Sequence, residues 1–158
     1  MKRNKTTFLK LAVEIIGIIA LILCIFWLPG VARNIAEMNP EYAYLRYPVL
    51  VGVYSTAIPF YVALYQSLKL LNYIESKNAF SELAIESLEY IKRCATTIII
   101  IYVIGLILLQ IQNALHPSIG IIGVVIIFAA STIALFADVL QELLKNALEI
   151  KAENDLTV

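Results

Sequence analysis

Between Arg93 and Asp138 the chain carries 44 consecutive residues without a formal charge. A single membrane helix cannot use so long a run, because about 20 apolar residues already cross about 30 Å of hydrocarbon. The run has to turn once, and Gln112-Asn113-Ala114-Leu115-His116-Pro117-Ser118 is where its polar and turn-forming residues gather. One feature therefore predicts two spans, 94–112 and 119–138. The same reasoning gives a span at 47–70, where the 22 residues from Tyr47 to Leu68 are uncharged and Pro59 near the middle predicts a kink. It also gives a span at 9–28, broken only by Glu14. With 61% apolar and 15% charged residues, against about 45–50% and about 25% in ordinary globular domains, the 158-residue chain reads as one all-α membrane domain. The expected fold has four transmembrane helices in two hairpins, with the third helix extended into the cytoplasm.

The N-terminus carries Lys2, Arg3, Lys5 and Lys10 without an acid. A basic start before an apolar run also fits a signal peptide, with Gly30-Val31-Ala32 as its cleavage site. The run is long for that purpose and further spans follow, so the reading is an uncleaved first helix. Leu23 before Cys24 argues against a lipoprotein signal. Trp27, Pro29 and Gly30 are expected to close this span as an interfacial aromatic followed by breakers. Residues 31–46 then read as a short loop, with Tyr42 and Tyr44 as interfacial anchors.

The long charged interruption lies at 72–93, NYIESKNAFSELAIESLEYIKR. Phe80, Leu83, Ala84, Leu88, Ile91 and Ala95 recur at helical spacing on one stripe, while Glu82, Glu86, Glu89 and Arg93 occupy another face. Asn78 or Ser81 can cap the helix, and Glu89 to Arg93 is a favourable i,i+4 pair. Neither Gly nor Pro separates Ser81 from the apolar run, which predicts one continuous helix whose 13 extramembrane residues reach roughly 20 Å. The fourth helix is expected to continue as an amphipathic tail over 139–158, through Leu140, Leu143, Leu144, Ala147 and Ile150. Ten of the twelve Lys and Arg residues fall at the N-terminus, in the stretch from Lys69 to Arg93 or in the tail. That bias predicts a bacterial plasma-membrane protein with both termini and the connection 71–93 in the cytoplasm.

Several residues invite a chemical reading. Glu14 is an intramembrane carboxylate, a candidate for function by default, and a glutamate in the first of four helices is a feature of small multidrug-resistance transporters. The strong charge bias and long central connection separate this chain from them. Glu14 also lies one turn beyond Lys10, where pairing with Lys10 or Lys69 is the simpler account. Asp138 likewise sits at a helix end. Tyr47, Tyr54, Tyr61 and Tyr65 share a face within about 40°, and their hydroxyls need partners in hydrocarbon. The opposite face, Gly52, Ser55, Thr56, Pro59 and Ala63, is expected to meet a small edge of the fourth helix at Gly123, Ala130, Ala134 and Ala137. One histidine, His116, and two separated cysteines, Cys24 and Cys94, cannot supply a zinc site of normal spacing, and they are not expected to form a disulfide. With no HExxH, P-loop, GxSxG or Gly-rich dinucleotide turn, and few polar residues, neither an enzyme nor a cofactor is expected.

The patches Ala79-Phe80-Ser81 with Leu88-Glu89-Tyr90-Ile91, and the ending Glu153-Asn154-Asp155-Leu156-Thr157-Val158, resemble the YoaS-like family of bacterial membrane proteins. The resemblance covers nearly the whole chain and implies four spans with a long cytoplasmic connection. The family has no assigned activity, so it implies no catalytic residue. Its genes often neighbour a small helix-turn-helix regulator, which implies a membrane protein that controls a DNA-binding partner. The expected function is accordingly a non-enzymatic regulatory or docking protein in the lipid bilayer, without direct nucleic-acid binding and compatible with a homo-oligomer. Its docking residues would be Glu82, Glu86 and Glu89, with Glu149, Glu153 and Asp155 in support. The alternative is a small transporter or channel subunit using Glu14 and the tyrosine face.

Overall fold

A computed structural model describes residues 2–77 and 80–156. Among them every regular element is helical: α1 (Lys2–Ile22), a π-helical turn (Leu23–Trp27), α2 (Leu28–Met38), a 3-10 stretch (Pro40–Leu45), α3 (Arg46–Glu75), α4 (Glu82–Ile111) and α5 (Pro117–Leu156). Four stretches are long and apolar enough to cross a membrane: Asn4–Met38, Pro40–Glu75, Glu82–Ile111 and Pro117–Leu156. Large apolar side chains cover their outer surfaces, Phe26, Ile58 and Phe128 among the most exposed.

The helices pack in chain order as a row, α1 on α3, α3 on α4, and α4 on α5. The packing does not divide into two separate pairs, because α3 lies against α4 about as extensively as α4 against α5. Lys10 of α1 pairs with Glu75 at the end of α3. At the opposite end the Tyr42 hydroxyl donates to the Asn113 carbonyl at 3.0 Å, and that of Tyr44 to Gln112 Oε1 at 2.7 Å. Tyr42 and Tyr44 thus tie the α2–α3 connection to the α4–α5 turn.

The first span does not close at Pro29-Gly30 as expected. It passes through the π turn into α2, and residues 31–46 are helical over most of their length. The reason is local. Pro29 is the second residue of α2, early enough in the helix for its missing N–H to be tolerated. The backbone N–H of Leu28 reaches back to the Leu23 carbonyl, five residues away, so the π register absorbs the proline.

The helix ends follow from sequence more directly. Ser81 has extended backbone (φ −119°, ψ 159°), and its hydroxyl accepts the Ala84 N–H at 3.3 Å, capping α4. Asn78, the other candidate cap, lies outside the described residues. Asn113 adopts the left-handed conformation (φ 57°) just past α4, where asparagine is well tolerated. Pro117 opens α5, and His116 Nδ1 accepts the Ser118 N–H at 3.2 Å. The lone histidine is a helix cap.

The best-packed core lies at the end that carries the termini. The buried residues of α4 are Ala84, Ser87, Leu88, Ile91, Cys94 and Ala95, all in its first half. Leu88, Ile91 and Ala137 form one cluster, covered by Leu70, Leu140 and Leu144. Burial of a large apolar side chain contributes about 1.5–3 kcal/mol where water is the solvent, whereas lipid does not distinguish helix from helix. Phe80 and Leu83, assigned to the same stripe from spacing, are exposed; Phe80 precedes the first helical turn. The small edge of α5 also has a different neighbour from the one expected. A Cβ on Gly123 would lie 2.8 Å from a methyl of Leu106 on α4, and nothing lies within 4 Å of a Cβ built on Gly52. Thr56 hides its hydroxyl in its own helix instead, donating to the Val53 carbonyl at 2.6 Å.

Candidate functional site

The densest polar constellation joins α4 to α5 just outside the apolar run. Lys92 Nζ lies 3.1 Å from Glu89, 3.2 Å from Asp138 and 3.0 Å from Gln141 Oε1. Gln141 is only 5% exposed; its amide donates to Glu89 Oε2 at 2.9 Å and to the Ile85 carbonyl at 3.4 Å. Arg93 holds the other Glu89 oxygen at 3.2 Å. Two carboxylates and two cations balance, so the cluster is neutral. The Gln141 amide, then Lys92 and Arg93, hold the Glu89 carboxyl at about 2 against partial desolvation. Glu89 and Asp138 raise the Lys92 ammonium above its ordinary value. The arrangement fixes the register of two helices, with each major polar group already partnered. It is a latch.

The tyrosines on α3 behave differently from one another. The Tyr54 hydroxyl donates to the Cys24 carbonyl at 2.8 Å, and that of Tyr61 to the Gly17 carbonyl at 2.7 Å. The approach at Gly17 is close, since a Cβ there would lie 3.3 Å from a Leu64 methyl and in ordinary contact, 3.7 Å, with the Tyr61 ring. Tyr65 instead lies under the Lys69 ammonium, 5.5 Å from the ring centroid. Glu14 is exposed on α1 and has no ion-pair partner among the described residues. The pairing of Glu14 with Lys10 or Lys69 does not occur: Lys10 takes Glu75, offered by the neighbouring helix, and Lys69 takes the Tyr65 ring.

The three glutamates read as one docking face are not equivalent. Glu82 and Glu86 are exposed and without ion pairs among the described residues. Glu89 belongs to the latch and is not available as a free docking charge. On α5, Glu149, Glu153 and Asp155 are exposed, and Glu153 has a contact of its own. With Gln141 opposite Ile85 and Glu89, the start of α4 falls opposite residues near 146. Glu153 and Asp155 therefore overhang α4 by roughly 10 Å at 1.5 Å per residue, and they do not join Glu82 and Glu86 in one patch.

A family model described as protein of unknown function (DUF2975) matches residues 30–158. The chain belongs to this family. It is 52% identical to the uncharacterized membrane protein YoaS of Bacillus subtilis (strain 168) over 162 residues, covering 100% of both chains. No solved structure matches.

In this DUF2975 protein the residues that reading the sequence missed are Lys92, Gln141 and Gly17. Gln141 had a visible signal, as an amide three residues beyond Asp138 on the apolar side of the tail. Gly17 had none, since a glycine within a span is ordinary until its neighbour is known.

Proposed function

We propose that this DUF2975 protein is a non-enzymatic docking protein of the bacterial plasma membrane. In this reading both termini and the α3–α4 connection are cytoplasmic, and α4 and α5 leave the bilayer together to present Glu82 and Glu86 to a small cytoplasmic partner. The observation that carries the reading is the latch: Gln141, Lys92, Glu89 and Asp138 fasten α4 to α5 where a mere connection would need no fixed geometry. The ten-to-two distribution of Lys and Arg supports the orientation. A helix-turn-helix regulator, basic on its nucleic-acid face, is the partner class that the family resemblance implies and that an acidic helix start complements.

Orientation is tested by reaction with an impermeant thiol reagent. Asn113→Cys should label from outside intact cells, and Ser81→Cys only after permeabilisation. Docking is tested by co-purification from detergent-solubilised membranes. Glu82→Gln with Glu86→Gln should weaken capture of the partner about three- to tenfold at low salt and less at high salt, since exposed charge pairs contribute about 0–1 kcal/mol each. Wild-type capture and salt dependence in the double variant would refute a docking role for this face.

A further inference from the structure

Beside the latch, α3 and α4 line a partly open pocket of about 180 Å³. Its polar lining comprises Gln66, Lys69 and Tyr73 from α3 and Glu86, Ser87 and Tyr90 from α4. We propose that this pocket binds the headgroup of a membrane phospholipid that carries both a phosphate and a primary amine, as phosphatidylethanolamine does.

Three observations lead there. Ser87 is 2% exposed, yet its hydroxyl has no hydrogen-bond partner among the described residues. Other hydroxyls of these helices turn back onto their own carbonyls, as Ser67, Thr96 and Thr97 do at 2.8–2.9 Å. Ser87 lines the pocket instead, where a ligand oxygen can complete it. Second, Lys69, whose ammonium also lies over the Tyr65 ring, and Glu86 line the same pocket from facing helices and form no ion pair. A cation and an anion held apart across a cavity fit a ligand with both charges: phosphate to Lys69 and Ser87, ammonium to Glu86 and the tyrosine rings. A purely anionic headgroup would meet Glu86 unfavourably. Third, Lys69 is the first charge after the uncharged run 47–68, which sets the pocket at headgroup depth. The volume suits a small polar group rather than acyl chains. The site does not depend on the docking reading, although Glu86 serves both.

The test is native mass spectrometry of the full chain purified in detergent, without any protein partner, from equimolar phosphatidylethanolamine, phosphatidylglycerol and phosphatidylcholine. The wild type should retain phosphatidylethanolamine at least about fivefold over phosphatidylglycerol, a discrimination of about 1 kcal/mol. Glu86→Gln should abolish that preference. Lys69→Gln should lose bound phospholipid and Lys69→Arg recover it, Ser87→Ala should weaken retention several-fold, and Lys151→Gln on the exposed tail should change nothing. Equal retention of the three lipids by the wild type, or an unchanged preference in Glu86→Gln, overturns the proposal. So does competition by soluble phosphoethanolamine at the same concentration as the lipid, which would mark a site for a free metabolite. Should Lys69→Gln not fold, the exposed Glu86→Gln decides alone.

Discussion

Tyr54 on α3 donates its hydroxyl to the carbonyl of Cys24 on the first span, 2.8 Å away. In the π register that carbonyl would look five residues ahead for its donor and find Pro29, which has none. The tyrosine replaces the missing N–H from a neighbouring helix, so a breaker in one span and a hydroxyl in another form a single device. Tyr54→Phe should therefore cost about 1 kcal/mol, the usual size of an interhelical hydrogen bond in a membrane. In a Pro29→Ala background, which restores a backbone donor, the same change should cost close to nothing. Unfolding in mixed micelles measures both arms of the cycle. Equal costs in the two backgrounds would show that Tyr54 does not stand in for the proline's N–H.

This pairing marks where the sequence stopped being legible. The four spans, the continuous α4, the Ser81 cap and the turn at 112–116 follow from charge, length and local propensity, which are properties of a single segment. The course of the chain past Pro29 does not, because it depends on a hydroxyl 25 residues further on. The same holds for Glu14: i,i+4 spacing named Lys10, but the competitor Glu75 sits on another helix. Glu82, Glu86 and Glu89 recur regularly, and nothing in their spacing says that Gln141 and Lys92 take one of them. Tyrosines at mid-span needed acceptors, as expected; which acceptors were chosen was set by the row of helices.

Gly123 lets α5 approach α4 at Leu106. A Cβ there would lie 2.8 and 2.9 Å from the two Leu106 methyls and 3.2 Å from its Cγ, so the leucine must rotate to admit even an alanine. Gly123→Ala should cost about 1–2 kcal/mol by overpacking, and Gly123→Leu should separate the helices. Gly123→Ala combined with Leu106→Ala should recover much of the loss. Thermal unfolding in detergent reads all three. A double variant no better than the single one would mean that the clash is not with Leu106.

The latch should make stability depend on acid. The folded state holds the Glu89 carboxyl at about 2, below its ordinary 4.5, so folding favours the ionised form. Its contribution is complete above about pH 5 and is lost as the pH falls from about 4.5 toward 2. Lys92 is raised, so its contribution is complete below its ordinary value of 10.5 and is lost as the pH rises beyond the folded value. Between those limbs this cluster should be pH-insensitive. Glu89 is 35% exposed, and screening limits the acid loss to about 1 kcal/mol. Melting temperatures across the acid limb should fall for the wild type and stay flatter for Glu89→Gln. Parallel curves would assign the acid sensitivity to other carboxylates.

Glu14 separates the docking reading from a transporter that uses the first span. It is exposed on α1, one turn past Lys10, and Lys10 is engaged with Glu75. Tyr54 and Tyr61, two members of the tyrosine face, have given their hydroxyls to backbone carbonyls. A carboxylate so close to the charged end can extend to the headgroup layer, which reduces its cost in the membrane. Glu14→Gln should therefore leave insertion and partner capture unchanged and shift stability by less than about 1 kcal/mol. A proton-coupled transporter would instead lose proton-driven uptake or resistance in the same variant at normal expression. Everted membrane vesicles with a pH-sensitive dye measure that activity directly. If wild-type vesicles exchange protons for a cationic substrate and Glu14→Gln vesicles do not, Glu14 is the coupling residue and the docking reading gives way.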